Sequence, residues 1–215
     1  MSFASDRDLL ILEPGLFREV MWTGQRLVSG TGTASGTALT MSAQDVSFDS
    51  ADVGQGHVAV IGGTPYEVLA RVSGTVLTIS RVRNDVDDPA IAVSGATAVA
   101  VQVATFGPQI ATVHRQVLRM LGIEPDIEPV EGAVGESSVL NMSEFARLEA
   151  LGALHLVYSA ASSALGPETP LGRKAEFYRA RFDSERQRAV ALIDTDGDGQ
   201  VDATRRLNVM QFVRH

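Results

Sequence analysis

Cysteine is absent from the 215 residues. Disulfides, thiolate zinc sites and a cysteine nucleophile are thereby excluded, and a small secreted scaffold loses the covalent staples it normally needs. No apolar run approaches the roughly 20 residues of a membrane helix, so no membrane association is expected. The opening MSFASDRDLL lacks a basic stretch followed by an apolar one, and no signal peptide is expected. Paired metal-binding histidines are also missing. His57, His114, His155 and His215 fall in four different elements, none with a second histidine at ligand spacing. His155, in an apolar helix, reads as a satisfied core residue. The motifs GxSxG, HExxH, GxxxxGKS and a strand-anchored GxGxxG do not occur. Glu144 and Glu149 are expected to face apart on one helix rather than form a catalytic pair. These absences together predict a protein without enzymatic activity.

Lysine is nearly absent too. Of 18 basic residues one is a lysine, Lys174. The net charge of −8 argues against generic nucleic-acid binding, which draws its affinity from phosphate neutralisation. Arg173, Lys174, Arg179, Arg181, Arg186, Arg188, Arg205, Arg206 and Arg214 make the last quarter locally basic on an acidic chain. A solvated helix face is one reading of this cluster. An interface for an acidic partner is the other, and the planar guanidinium suits protein contacts. Arg181 and Arg188 are the candidate contact residues.

What is present suggests an α+β protein. SDRDLLILEP has Ser5 as an N-cap and Asp8 in the third helical position of a capping-box-like pattern, predicting a short helix over 6–13 that Pro14–Gly15 ends. From about 19 to 106 the chain is rich in Gly, Thr, Ser and Val. HVAVIGGTPYEVLARVSGTVLTISRV reads as three strands joined at Gly62–Gly63 and Ser73–Gly74, and TALTMSA and TAVAVQVATF add two more. Five or six short strands with tight turns predict a small barrel of the SH3 or OB kind. GTGTASGT is expected to be a hairpin or loop, and RNDVDDPA a polar loop. From 107 to 193 the pattern turns helical. GPQIATVHRQVLRMLG has Pro108 in its first turn and Gly122 past its end, with Ile110, Val113 and Val117 at helical spacing. EPDIEPVEGAVGESS is expected to be an exposed linker. SEFARLEALGALHLVYSAASSAL, capped by Ser143, is apolar nearly all round, which predicts burial within a larger body or against other subunits. The last helix, expected over 170–193, has Thr169 as cap and Pro170 behind it, with Leu171, Ala175, Tyr178, Phe182, Ala189 and Ile193 as its apolar stripe.

DTDGDGQVD, residues 194–202, concentrates the carboxylates. Hard oxygen ligands at positions 1, 3 and 5 of a calcium loop, a carbonyl at 7 and a glycine at 6 correspond to Asp194, Asp196, Asp198, Gln200 and Gly199, with Asp202 at position 9. At position 12, where a bidentate carboxylate would close the shell, stands Arg205. The metal candidates are therefore Asp194, Asp196, Asp198 and Asp202. A polar turn is the competing reading, since Asp and Gly are natural turn formers, and Arg205 and Arg206 would then satisfy the carboxylates. No cofactor is expected to be required, and Ca2+ is expected to be a weak ligand at most. The stretch resembles a single dockerin or EF-hand loop, which implies the alternative of a calcium-dependent extracellular interaction module. Beyond it, RRLNVMQFVRH is apolar on both faces. Leu207, Val209, Met210, Phe212 and Val213 are the candidate partner-binding residues of a C-terminal docking segment, either strand or helix.

SDRDLLILEPGLF, FGPQIATVHRQVLRMLG, the alanine-rich helix and YRARFDSERQRAVALIDTDGDG, taken together, resemble the head-completion or head–tail adaptor proteins of tailed bacteriophages. The resemblance covers about residues 5–18 and 107–215. It implies an α-helical adaptor domain whose first helix lies in 1–18, with a β-barrel inserted over 19–106, a helical domain over 107–193, and the Asp-Gly turn and docking segment over 194–215. It further implies a virion protein of the phage neck, found in the host cytoplasm during assembly. Its partners would be the portal, a tail-side neck protein and further copies of itself in a ring of twelve, with DNA passing through without sequence-specific binding.

Overall fold

A computed structural model describes residues 2–125, 134–163, 166 and 168–207. Helix and strand are mixed, with a closed six-stranded barrel and several helices. The chain divides into two compact units, one of residues 5–108 and the other of residues 1–4 with 109–215.

The first unit opens with α1, Asp6–Leu12. The Asp8 carboxylate accepts from the Ser5 N–H at 2.7 Å and from the Ser5 hydroxyl at 2.8 Å, so the sequence pattern of the cap is realised in its carboxylate half. A short turn, α2 (Leu16–Glu19), follows. Six antiparallel strands then close in the order β1-β2-β5-β4-β3-β6. They are β1 (Gln25–Gly36), β2 (Ala38–Gln44), β3 (Val58–Ile61), β4 (Thr64–Ser73), β5 (Val76–Ser80) and β6 (Val93–Thr105). Closure leaves no unpaired edge. Val28, Leu39, Phe48, Val68, Leu77, Ile79, Val101 and Val103 fill the interior.

Of the two readings of GTGTASGT, hairpin or loop, the hairpin holds: the stretch is the second half of β1 with the turn at Thr37 into β2. Gly30 and Gly32 are there for space: a Cβ would lie 2.0 Å from the Ala43 carbonyl oxygen on the first and 2.9 Å from the Thr40 carbonyl oxygen on the second, and the register shifts between Thr31 and Gly32. The helix expected to begin the helical domain belongs instead to the barrel's unit. Arg7 of α1 reaches Glu67 of β4 at 2.6 Å, and the Phe106 N–H donates to Asp6 at 2.8 Å. The boundary thus falls near residue 5 rather than 18.

The second unit contains α3 (Gly107–Met120) from Gln109 onward, α4 (Met142–Ser163), α5 (Pro170–Arg188) and a hairpin of β7 (Val190–Ile193) and β8 (Ala203–Arg206). Val113, Val117, Leu118, Leu121, Phe145, Leu148, Ala191, Ile193 and Leu207 share its core. Much of α4 is buried within the chain itself, from Phe145 to Ala161, so its apolar circumference needs no further subunit to explain it. Gly152 permits the packing, since a Cβ there would lie 2.7 Å from Val113 and 3.0 Å from Phe182. Thr169 caps α5 by accepting from the Gly172 N–H at 3.3 Å, with Pro170 behind it. The helix expected to run to 193 stops at Arg188. Val190–Ile193 alternates half-buried and buried side chains as a strand does, and it pairs with β8 along one edge. The linker reading falls partly on 126–133, outside the described residues. No described helix is long and apolar enough to cross a membrane.

Candidate functional site

The hairpin that holds DTDGDGQVD is fixed from both sides. β8 pairs along one edge of β7. On the other, Val139 bridges Ile193, the Leu140 N–H donates to the Leu192 carbonyl at 2.9 Å, and the Asn141 side chain donates to the Val190 carbonyl at 2.8 Å while accepting from Leu192 at 2.9 Å. Residues 194–202 are therefore the tip of a braced hairpin.

Within the tip the carboxylates organise the backbone. Asp194 Oδ1 accepts from the amides of Gly197 at 2.7 Å and Asp196 at 3.2 Å, and Oδ2 from Gly199 at 2.8 Å. Gly197 and Gly199 have φ of 83° and 81°, a left-handed conformation that favours glycine. Asp202 Oδ2 accepts from the Thr195 amide and hydroxyl, both at 2.8 Å. The amides of Gly199 and Gly197 hold the Asp194 carboxyl below the usual carboxylate range, and the Thr195 amide does the same for Asp202. Both stay ionised at neutral pH.

Asp194, Asp196 and Asp202 each bring one oxygen within 4.8 Å of the others. A calcium ion takes its oxygens at roughly 2.3–2.6 Å, so three oxygens at that separation fit around one cation. Asp196 and Asp202 lie exposed at the tip. Asp198, the third ligand expected from the spacing, is not in this group; it accepts from the Gln200 amide at 2.8 Å and side chain at 3.2 Å. Nor does Arg205 answer the loop carboxylates. Its guanidinium donates to the Leu121 carbonyl at 2.6 Å, beyond the end of α3. A strand–turn–strand geometry returns the chain at position 9, so Asp202 takes the closing place that a helical loop would give to position 12.

The other candidates are scattered. Arg181 lies exposed on α5 with its guanidinium over the Phe177 ring, 5.4 Å from the centroid. Arg188 is exposed at the helix end. Leu207, expected to face a partner, is buried in the core of its own unit. Val209, Met210, Phe212 and Val213 lie outside the described residues.

Sequence reading missed the buried polar centres, among them the one around His114. His114 Nδ1 lies 2.6 Å from Glu149 Oε1, its Nε2 lies 3.4 Å from Glu136, and Glu149 Oε2 accepts from the Ala4 N–H at 3.0 Å. Phe3 sets its ring edge-on to the imidazole, centroids 4.9 Å apart. Burial pulls the His114 pKa down, but the Glu149 hydrogen bond and charge, with help from Glu136, outweigh it and the net shift is upward. The partners are 35 positions apart, so no local pattern announced them. The available signal was a glutamate at a core position of the largely apolar α4. Of the other described histidines, His57 bonds the Gly54 backbone and His155 lies 3.1 Å from the Ala175 carbonyl.

No family model, no curated protein and no solved structure matches the chain.

Proposed function

We propose that the protein is a structural adaptor of a tailed-phage neck, assembling as a ring of twelve copies between the portal and a tail-side protein. The observation that carries this reading is the division of the chain. A helical unit begins with residues 1–4, gives way to the unit of residues 5–108 and resumes at 109. Such a division suits a helical platform that carries an inserted β-module, with the helix of residues 6–12 on the module rather than on the platform. The inserted barrel fills the role of the small SH3- or OB-type domain, with six strands where an OB-fold has five. The net charge of −8 suits a lumen that DNA must traverse without adhering. The reading requires no enzymatic activity and no cofactor, and it places the protein in the virion, after assembly in the host cytoplasm. Electron microscopy of purified particles tests it, with the expected density between portal and tail. Truncation after Leu207 isolates the C-terminal segment: a folded protein that no longer joins particles is the expected result. Particles that lack the protein altogether would sink the reading.

A second reading, a calcium-dependent extracellular interaction module, is favoured by the convergence of Asp194, Asp196 and Asp202. Calorimetry separates the two. Under the adaptor reading calcium binds at the weak end of the range for such loops, about 10⁻⁴–10⁻³ M, and assembly does not depend on it. A micromolar dissociation constant, abolished in Asp196→Ala, together with calcium-dependent association, would favour the second reading.

A further inference from the structure

The solvent face of α5 is patterned. Arg173, Phe177, Arg181 and Arg188 fall within about 80° of arc at 3.6 residues per turn. Phe177 is 53% exposed, and the Arg181 guanidinium lies over it. Arg179 and Arg186 are matched by Glu176 and Asp183 on the same helix. Arg173, Arg181 and Arg188 are exposed and pair with no carboxylate among the described residues. The stripe thus reads base, aromatic, base, base, with its apolar element about half exposed.

The barrel unit carries a segment of opposite pattern. Asp85, Val86, Asp87 and Asp88 are all exposed, Val86 at 49%. The segment is held in shape by a buried cation. The Arg83 guanidinium donates to the carbonyls of Val86 at 2.8 Å and Asp88 at 2.6 Å, and is itself fixed by Glu67 at 2.7 Å. The Asp85 N–H donates to the Asp88 carboxylate at 2.9 Å, and the Asp87 N–H to Asp85 at 3.1 Å. An exposed loop already ordered pays less to bind.

We propose that this loop of one copy docks on the α5 stripe of a second copy, head to tail, with Val86 against Phe177 and the flanking aspartates against Arg173 and Arg181. Acid–apolar–acid meets base–aromatic–base, which matches the two surfaces in charge and in hydrophobic centre. A nucleic acid would meet the same arginines, but on a chain of net charge −8 it has little long-range attraction to bring it there. The two surfaces differ, so every copy offers one of each, and repetition closes into a ring or runs on as a chain. Closure into a ring rests on the adaptor reading; the pairwise contact does not.

Sedimentation velocity on the full chain tests the contact. The stripe variant carries Arg173→Asp and Arg181→Asp. The loop variant carries Val86→Arg and Asp87→Arg, leaving Asp85 to hold the loop. Each alone should associate at least about tenfold more weakly than the parent, with an unchanged unfolding midpoint because all four side chains are exposed. Mixed in equal amounts they should associate again, since the parent loop of one meets the parent stripe of the other and the reversed loop meets the reversed stripe. The chain carrying all four substitutions should regain association. If either variant assembles like the parent, this contact is wrong while the adaptor reading stands. If the mixture stays unassociated, the two surfaces are not each other's partners. A parent chain that remains monomeric overturns the contact, and particle microscopy then decides the adaptor reading on its own.

Discussion

Asp6 shows what a single buried carboxyl does to a small barrel unit. Burial raises its pKa from 3.8 to about 6, partly offset by hydrogen bonds from Thr105 and Phe106 and by the nearby His57. Its folded pKa is above its unfolded one, so ionising it is harder in the folded state. Stability is therefore greatest below the ordinary value and falls as pH rises from about 4 to about 6. A shift of about two units corresponds to a loss of about 3 kcal/mol over that window. Asp6→Asn keeps the oxygen that accepts from Phe106 and removes the charge, so the barrel unit's unfolding midpoint should lose this slope. Trp22, the chain's one tryptophan, lies in that unit and its fluorescence is the readout. An unchanged slope in the variant would assign the pH dependence to another group. At the same scale, the sequence disclosed the metal-type spacing of Asp194, Asp196 and Asp202, but not that Asp198 turns aside or that Arg205 reaches Leu121. Those choices follow from the hairpin, which the residue spacing does not encode.

At the scale of elements, α3 and α4 are joined by the His114–Glu149 pair. Glu149 also holds the Ala4 amide, so one carboxylate ties two helices to the start of the chain. Removing it in Glu149→Ala leaves a buried imidazole and amide without their acceptor, and the expected cost is about 3–5 kcal/mol in denaturant unfolding. A loss under about 1 kcal/mol would show that water or Glu136 replaces it. The pH sign is opposite to that of a stabilised acid. The raised histidine pKa gives a contribution fully present below its ordinary 6.5 and lost as pH rises through the folded value. This window lies above that of Asp6, so the two units can be told apart by pH. Elements with strong local signals were legible: α5 starts where Thr169–Pro170 says, and β3, β4 and β5 follow their glycine turns. β1 was not, because glycines with poor strand propensity are retained for the close approach of Ala43. The end of α5 was not either, because Val190–Ile193 continues a helical spacing while its backbone is claimed by β8 and by Asn141.

For the molecule as a whole, alternating and helical periodicities distinguished a β-rich segment from a helical one. They could not assign α1 to its unit. That assignment is made by Arg7 and Glu67, 60 positions apart, and by Asp6 and Phe106, 100 positions apart. The second of these contacts has a practical outcome. It clips the beginning and the end of the barrel unit together, with 2.8 Å between the Asp6 carboxylate and the Phe106 amide. A module whose entry and exit are neighbours asks only a short gap of its host chain. The seam beside Ser5 and Gly107 is thus a natural cloning junction, where a foreign domain with adjacent ends can replace the barrel within the helical unit's chain.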